Sequence, residues 1–532
     1  MNVKISFGSI MKIANIIFLI VLENIVLDCG MGFFAVSLLV YMVFYMIFFD
    51  GLQNGISKMV TIRNSKGIHG NSKRIARQML VYVLLFSVIF FLFGFLLLNF
   101  ISDSLLGVSY PIPVIQFLCI VFLFTGLSDV LCGYQNGNGN GLVVNAANLL
   151  KIILPVIFSF FVLSSFSDYG KNVAGLLKNP LVQNAYAAMG IAAVYAVASI
   201  LVFIVVCVLS VRNRNDYTKE KTIRSMDTRR SVLNGAFSMV LRMMLGNLFV
   251  ILSIAASVFV YIHFADKAGI EIQTIYTNIG ILFCKLLLPV LLVMILFGEY
   301  VTKECYRLQF DYRKEESKIV SIRTHYLIKN CFFMLIPPTI ILTFLADPIV
   351  KILYEGQTTI SPKFLQTGGF LLLLAGLAYT LYNILKSIEQ EFLILGVQAA
   401  GFLIQLIFLL AVLPKSNGNS MLILYSFYLN FGIQVCAYFV FIMRIIRLDV
   451  MDIAVKVGKY AASGIVMMVL FLILDKFILM NAILLVLGMI LGYLLYYLTL
   501  LALKGITKKD EAALKRTLNY YPVHFLRSRL RL

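Results

Sequence analysis

The 532-residue sequence has no tryptophan, only four histidines, and 25 acidic residues against 45 Lys and Arg. The histidines lie far apart in the sequence and show no metal-ligand spacing, so we predict no metal site. The eight cysteines form no CxxC pair and lie mostly in apolar runs, as small buried residues do. The sequence also lacks a GxxxxGK[ST] phosphate-binding motif and a recognisable Ser-His-Asp set. We therefore predict that the protein is not an enzyme and holds no cofactor.

Charged residues are scarce as well, at 13%, whereas 61% of the residues are hydrophobic and the mean hydropathy is +0.93. A soluble chain of this length has too little interior to bury so much apolar surface. Apolar runs of about 20 residues are long enough to cross a bilayer, and the sequence contains about fourteen of them. The first two runs cover residues 7–28 and 31–57. We predict an all-α polytopic membrane protein with about 14 transmembrane helices.

Positive charges are concentrated in alternate gaps between these runs. Lys and Arg crowd residues 58–77, 212–231, 303–323 and 504–532, whereas the intervening gaps carry few charges. Because basic loops remain in the cytoplasm, the pattern predicts that both termini lie inside. The same placement argues against nucleic acid as the partner of a chain with net charge +20, and favours contact with anionic membrane lipids.

Similar segments recur roughly 250 residues apart, which is typical of transporters built from repeats. FFDGLQNGISK (Phe48–Lys58) corresponds to LFGEYVTK (Leu296–Lys303), and the turn YQNGNGNG (Tyr134–Gly141) corresponds to KSIEQEF (Lys386–Phe392). We predict two six-helix lobes related as parallel repeats, followed by two further helices. The predicted divisions are an N-terminal lobe (1–211), a basic cytoplasmic linker (212–231), a C-terminal lobe (232–444), the extra helices (445–503) and a basic cytoplasmic tail (504–532).

Three segments resemble the multidrug/oligosaccharidyl-lipid/polysaccharide (MOP) flippase superfamily, closest to its sporulation stage V protein B, polysaccharide biosynthesis and lipid II flippase branch. They are DGLQNGISKMVTIRNSKGIHGNSKRIARQML (Asp50–Leu80), SDVLCGYQNGNGNGLVVNAANLLKIILPVI (Ser128–Ile157) and LADPIVKILYEG (Leu345–Gly356). The sequence departs from the family pattern at Gln53, where the family usually has Pro, and at Gly298, where a Val-Pro stretch is usual.

The resemblance implies an alternating-access transporter with two lobes that face a central cavity. It implies movement of an undecaprenyl-pyrophosphate-linked glycan, either lipid II or a polysaccharide repeat unit, across the bacterial cytoplasmic membrane. Two alternatives stay open: a cation-coupled multidrug exporter of the same superfamily, and a non-transporting membrane protein of envelope or spore assembly. The sequence predicts no particular oligomeric state.

Ionisable residues inside predicted spans need a physical reason, because each costs about 2.5–3.5 kcal/mol on insertion scales. They are Glu23, Asp50, Asp129, Lys151, Arg242 and Lys285, with Lys58 near the inner end of its helix. Asp129 and Lys151 lie on helices joined by a short turn, so we predict a structural ion pair. Glu23 and Asp50 are candidates for H⁺ or Na⁺ coupling, or for neutralising Lys58. A further alternative for Glu23, which lies near the predicted outer end of its helix, is a solvated side chain.

The cations Arg242, Lys285 and Lys58 are candidates for binding the substrate pyrophosphate. Arg supplies a planar set of donors and Lys a compact charge, and both suit phosphate oxygens. The alternative for Arg242 is a side chain that extends to the membrane surface, and the alternative for Lys285 is an ion pair with an acid.

Overall fold

The structure is a computed structural model that describes residues 7–67, 69–97, 106–212, 229–354, 360–416, 418–478 and 482–505. Within these ranges the regular structure is helical and contains no strand. The all-α prediction is therefore confirmed for the described part of the chain.

The first half of the chain forms helices joined by short connections. They are α1 (Phe7–Phe48), α2 (Leu52–Ser65), α3 (His69–Leu92), α4 (Pro111–Gly137), α5 (Gly141–Phe158), α6 (Ser164–Leu177) and α7 (Pro180–Arg212). The helix widens to a π pattern at Phe93–Leu97 and at Ser159–Leu163.

The second half continues in the same way. Its helices are α8 (Arg229–Lys267), α9 (Ile272–Ile281), α10 (Leu288–Arg313), α11 (Ser317–Phe344), α12 (Ala346–Leu353), α13 (Ser361–Gly368), α14 (Leu371–Ser387), α15 (Glu391–Val412), α16 (Met421–Ile445), α17 (Val450–Ile478) and α18 (Ala482–Ala502). A π-helix at Leu282–Leu287 joins α9 to α10, and a 3₁₀ turn at Leu413–Lys415 follows α15.

Among the described residues, 12 helices are long and apolar enough to cross a membrane, or up to 13 if a bent pair counts as one span. The bent pair is α13 with α14. The predicted number of 14 is not confirmed. One reason for the lower number is that α1 and α2 are counted together as one span, Phe7–Ser65. Leu27, with φ 64° and ψ 167°, nevertheless interrupts α1. This break lies close to the predicted boundary between the first two spans.

The helices form two compact units, each made of separate stretches of the chain. We call Ile25–Gly280 with Leu409–Ser420 the N-unit, and Met1–Asn24, Ile281–Phe408 and Met421–Leu532 the C-unit. The chain passes from one unit to the other inside α1, just before the break at Leu27, at the end of α9, and on both sides of Leu409–Ser420.

In the N-unit, α4 is the central helix and packs against α2, α3 and α7. Aromatic rings fill the space beside it. Phe122 of α4 stacks on Phe49 with ring centroids 4.2 Å apart and contacts Phe90 at 4.7 Å. All three rings are buried. With no tryptophan available, phenylalanine supplies the bulk of this packing.

Two N-unit helices cross at a pair of glycines. A Cβ added to Gly32 of α1 would lie 1.9 Å from the carbonyl oxygen of Tyr276, and one added to Gly280 of α9 would lie 1.8 Å from that of Asp28. Gly32 thus contacts the residue four positions before Gly280, and Gly280 contacts the residue four positions before Gly32. The two backbones approach as closely as only small residues allow. Gly32 and Gly280 are also separated by roughly 250 residues, which is the spacing of the similar segments in the sequence.

In the C-unit, α11 is central and packs against α10, α14 and α17, while α18 packs on α17. Polar contacts fix α17 to α11. The Asp452 carboxylate of α17 lies 2.7 Å from His325 Nε2 and 3.2 Å from Lys329 Nζ. The two helices that follow the predicted C-terminal lobe are therefore part of the C-unit core, and not a detached extension.

Two tight turns occupy corresponding places in the two units. The turn after α4 has Gly139 at φ 86°, with Asn140 N–H donating to the Gln135 carbonyl at 2.9 Å. The turn after α14 has Glu389 at φ 61°, with Gln390 N–H donating to the Leu385 carbonyl at 3.0 Å. Both are Schellman helix ends, which turn the chain back within three residues. The similar turns predicted from the sequence adopt the same backbone form.

A charge network closes the α10–α11 turn, and Arg323 is its centre. Its guanidinium contacts Asp311 at 2.7 Å and Glu304 at 3.4 Å, and both carboxylates are largely buried. We expect Arg323→Ala to lower the free energy of unfolding by about 3 kcal/mol, because it removes the cation that contacts the buried Asp311 carboxylate, whereas Glu304 keeps its contact with Arg307. Arg313→Ala is the control, since the Arg313–Glu389 pair is exposed and contributes at most about 1 kcal/mol. Thermal unfolding in detergent measures both, and equal losses would contradict the assignment.

Candidate functional site

A fully buried lysine and glutamate meet inside the C-unit. Lys285 lies in the π-helix before α10, and its Nζ is 3.4 Å from Glu23 Oε1 of α1. Their side chains are 0% and 1% exposed. Lys285 Nζ also lies 3.4 Å from Ser361 Oγ and 5.5 Å from the centre of the Tyr354 ring. The ammonium therefore sits among a carboxylate, a hydroxyl and an aromatic face, which are all groups that favour a cation.

Short hydrogen bonds hold the surroundings of this ammonium in place. The Tyr354 hydroxyl donates to the carbonyl of Cys284 at 2.7 Å, which fixes the ring beside the π-helix. The Asn24 amide donates to the carbonyl of Leu353 at 3.1 Å, which ties α1 to the end of α12. The site is thus built by α1, the π-helix, the end of α12 and the start of α13. We call Glu23, Lys285, Tyr354 and Ser361 the lysine site.

The π-helix itself follows from the sequence around Lys285. Pro289 lies four residues after Lys285 and has no N–H to donate to the Lys285 carbonyl, and its ring crowds that carbonyl. The helix is widened to a π pattern over Leu282–Leu287, just before this proline. Such π segments are frequent at functional sites because the wider turn displaces a side chain from its regular helical position.

A second intramembrane lysine pairs with an acid inside the N-unit. Lys151 Nζ of α5 lies 2.9 Å from Asp129 Oδ1 of α4, and the Tyr45 hydroxyl donates to Asp129 Oδ2 at 2.9 Å. Asp129 is 5% exposed and Lys151 34% exposed. These two side chains are the ones that the sequence predicts as a pair, and the structure brings them together. Both oxygens of the carboxylate are occupied at short distance.

The two lysines share a local pattern that the sequence analysis did not use. Lys151 precedes Pro155 by four residues, as Lys285 precedes Pro289, in the segments LKIILPVI and CKLLLPVL. A π-helix, Leu282–Leu287, contains Lys285 and ends shortly before Pro289, whereas the π-helix Ser159–Leu163 begins after Pro155 and leaves Lys151 in the α-helix. The repeated Lys-x-x-x-Pro pattern could have marked both lysines as special positions. Tyr45, Tyr354 and Ser361 carry no such signal and were missed.

The remaining candidates lie apart from these pairs. Asp50 is half-buried in the turn between α1 and α2, and Lys58 is exposed on α2. Arg242 lies within α8, but its side chain is outside the described part of the chain. Glu23 and Lys285 were predicted to act separately, as an ion-coupling acid and a pyrophosphate-binding cation. The structure instead joins them, as the alternative for Lys285 allowed.

We find no group of three His, Cys, Asp or Glu side chains placed to hold a metal ion among the residues that the structure describes. The free cysteines there are mostly buried, and several line helix contacts, such as Cys119 and Cys132 in α4.

No protein-family model and no curated protein matches the sequence. Solved structures do match the fold. A multidrug resistance MATE family transporter of the MOP superfamily, in an inward-facing conformation, matches with TM-score 0.60 and 15% identity, over 83% of this chain and 96% of that chain. The lipid II flippase MurJ, in an inward closed conformation, matches with TM-score 0.59 and 14% identity, over 92% of this chain and 97% of that chain.

A third matching structure is a MOP superfamily transporter from Pyrococcus furiosus, with TM-score 0.53, 17% identity, and coverage of 82% of this chain and 94% of that chain. All three likenesses extend over nearly the whole of the known structures. At these identities they establish the fold and leave the substrate open. The chain therefore has the fold of the MOP superfamily transporters, as its sequence segments predicted.

Proposed function

We propose that the protein is a flippase that moves an undecaprenyl-pyrophosphate-linked glycan from the inner to the outer leaflet of the bacterial cytoplasmic membrane. The observation that carries the proposal is the helix pair α17–α18, which packs into the C-unit core. The likeness to the lipid II flippase covers 92% of this chain, whereas the likeness to the MATE transporter covers 83%. The part of this chain by which the two coverages differ is close in length to α17 and α18 together.

In this proposal Lys285 is the principal contact for the pyrophosphate, and Arg242 and Lys58 are further candidates. A lysine ammonium is a compact charge that suits phosphate oxygens and is costly to keep inside a membrane without a purpose. The substrate glycan is lipid II or a polysaccharide repeat unit. The basic gaps between spans would contact anionic lipids of the cytoplasmic leaflet. Glu23 and Asp50 are the candidates for coupling to H⁺ or Na⁺.

A cation-coupled multidrug exporter is the second candidate, since the MATE transporter gives a TM-score of 0.60. Buried acids such as Glu23 and Asp129 would suit cation exchange. The intramembrane lysines that neutralise these two acids favour the flippase, because an exporter of cations needs carboxylates that are open to a free cation.

The test is translocation of fluorescent lipid II, and of an undecaprenyl-pyrophosphate oligosaccharide, in vesicles that contain the purified protein. We expect the wild type to move at least one of them, and Lys285→Gln to slow movement by about tenfold or more, as loss of a charge-assisted phosphate contact does. Lys351→Gln is the matched control, since Lys351 pairs with Asp347 at the half-exposed surface of α12. We expect it to transport like the wild type.

Dye or drug exchange measured in the same vesicles separates the two candidates. If well-folded wild type moves neither lipid-linked glycan but exchanges an organic cation, the exporter is correct and the flippase proposal is wrong. If it moves neither kind of molecule, a non-transporting role in envelope assembly takes its place.

A further inference from the structure

A polar and aromatic face inside the C-unit takes no part in the lysine site. On α14, Tyr379, Tyr382 and Asn383 lie on one side of the helix, three and four residues apart, and all three are partly exposed. On the neighbouring α10, Thr302 is partly exposed as well, and its Oγ1 lies 3.4 Å from the Tyr379 hydroxyl. We call Thr302, Tyr379, Tyr382 and Asn383 the tyrosine face.

Gly298 shapes this face, and it is one of the positions where the sequence departs from the family pattern. A Cβ added to Gly298 would lie 3.5 Å from the hydroxyl oxygen of Tyr379 and 3.6 Å from its Cε1. The Tyr379 ring therefore lies close to the backbone of α10, in space that a branched side chain at residue 298 would enter. The glycine lets an aromatic ring rest against a neighbouring helix while part of that ring stays exposed.

Groups that can exchange hydrogen bonds with a ligand surround this ring. The Asn383 amide donates to the Tyr379 carbonyl at 2.8 Å, and its Oδ1 makes no hydrogen bond within the described part of the chain. On α16, Tyr438 is fully buried and interacts electrostatically with Tyr382. The Tyr438 hydroxyl has no hydrogen-bond partner among the residues that the structure describes. The face therefore combines aromatic rings with hydroxyl and amide groups.

The charged side chains beside the face are already paired with groups of the protein. The Glu299 carboxylate lies 3.5 Å from Lys303 Nζ, one turn later on α10. Lys386 Nζ lies 3.4 Å from the Tyr382 hydroxyl and 5.5 Å from the centre of its ring. An organic cation would have to compete with these two ammonium groups for the carboxylate and for the ring. The face therefore suits an uncharged ligand better than a cation.

From these observations we propose that the tyrosine face is a binding subsite for neutral sugar residues of the transported lipid. This inference rests on the proposed function and names the part of the protein that recognises the glycan. A sugar ring has an apolar C–H surface that packs on an aromatic ring, and hydroxyl groups at its rim that need hydrogen-bond partners. Tyr379 supplies the ring. Thr302, Tyr382 and Asn383 supply the hydroxyl and amide groups around it.

The tyrosine face lies near the cytoplasmic ends of its two helices. Thr302 directly precedes the basic residues 303–323, which the charge pattern places inside, and Asn383 lies one turn before Ser387, where α14 ends. Lys285 lies 17 residues before Thr302, which is about 25 Å along a helix axis. The face is therefore separate from the lysine site and lies on the side from which the proposed transport begins.

The absence of tryptophan from the chain gives a direct test. Tyr379→Trp places a single indole at the tyrosine face of the purified full-length protein. The probes are chitotriose and maltotriose, two neutral trisaccharides with different substituents. We expect at least one of them to shift the tryptophan emission to shorter wavelength in a saturable way, because a sugar stacked on the indole displaces water from it.

Tyr306→Trp is the matched control for position. Tyr306 lies one turn after Thr302 on α10 and is 69% exposed, so an indole there remains in contact with its surroundings and away from the Tyr379 ring position. We expect neither trisaccharide to change its emission. Thermal unfolding of both variants and of the wild type is recorded in the same detergent.

Calorimetric binding of the same trisaccharides keeps the test open if Tyr379→Trp unfolds at a lower temperature than the wild type. We expect Tyr379→Ala to bind about tenfold more weakly than the wild type, because it removes the ring on which the sugar packs. Tyr379→Phe keeps the ring and loses the hydroxyl, and we expect its affinity to stay within about threefold of the wild type.

Three results overturn the inference. One is unchanged emission of a stably folded Tyr379→Trp protein with both trisaccharides. Another is equal affinity of Tyr379→Ala and the wild type for the sugar, or no measurable sugar binding by the wild type. The third is a response of Tyr379→Trp to tetraphenylphosphonium and to neither sugar, which would make the face a site for organic cations. The proposed function fails differently, through absence of lipid-linked glycan transport by the wild type, whereas sugar binding is measured without lipid or transport.

Discussion

Gly280→Ala is expected to prevent the N-unit from folding, with a loss of more than about 4 kcal/mol of stability. The added methyl group would lie 1.8 Å from the carbonyl oxygen of Asp28, which is backbone. A side chain could rotate away from such a clash, but two packed helices must separate, and the surrounding contacts are lost with them. Size-exclusion chromatography of a fluorescent fusion and thermal unfolding in detergent would report the loss.

Gly175→Ala is the matched control because Gly175 lies in α6 of the same unit with nothing within 4 Å of an added Cβ. It is expected to be neutral or stabilising by up to about 1 kcal/mol, since alanine is the better helix former. Gly32→Ala should behave like Gly280→Ala, because its methyl group would meet the Tyr276 carbonyl oxygen at 1.9 Å. A Gly280→Ala protein that unfolds at the same temperature as Gly175→Ala would contradict the close crossing.

Asp129→Asn is expected to lower the stability of the N-unit by about 3 kcal/mol, the lower end for breaking a buried ion pair. The amide keeps the shape of the side chain but leaves the Lys151 ammonium, 34% exposed, without its counter-ion. The loss of stability is limited because the Lys151 side chain is partly exposed and its ammonium is not fully buried. The measurement is thermal or denaturant unfolding of the purified protein.

The double variant Asp129→Asn/Lys151→Met should recover most of that loss, since replacing both charges leaves no buried ion to neutralise. Asp168→Asn is the exposed control, because its partner Lys171 and Asp168 itself are 57% and 73% exposed, and such pairs contribute at most about 1 kcal/mol. If the double variant is no more stable than Asp129→Asn alone, the loss comes from packing and not from the unpaired lysine.

The features that the sequence could supply are those set by local chemistry. Long apolar runs predict helices because hydrophobicity is a property of neighbouring residues, and the break at Leu27 lies close to the predicted boundary of 28 and 31. Asp129 and Lys151 could be paired in advance because a three-residue turn brings α4 and α5 back alongside each other. The turns around Asn138 and Glu389 were visible as polar segments at matching positions.

The lysine site needed the three-dimensional structure. Glu23 and Lys285 lie far apart in the sequence, and no local pattern states which distant helix a charged side chain will meet. From the sequence alone, Glu23 was therefore predicted to couple an ion and Lys285 to bind the pyrophosphate, as separate roles. The assignment of helices to the two units could not be predicted either. The chain changes unit inside α1, between Asn24 and Ile25, and the composition does not change there. The Lys-x-x-x-Pro pattern was the local signal that could have marked Lys285, and the prediction did not use it.

The glycine crossing has a consequence for the time course of synthesis. Gly32 and Tyr276 are about 240 residues apart, and a ribosome adding about 5–20 residues per second needs about 12–50 seconds to make the intervening chain. During that interval the helix with Gly32 is already in the membrane while its partner does not yet exist. Its small-residue face must be covered by lipid or by the insertion machinery. The crossing of α1 and α9 cannot form until more than half of the protein has been translated, and the N-unit is complete only after Ser420.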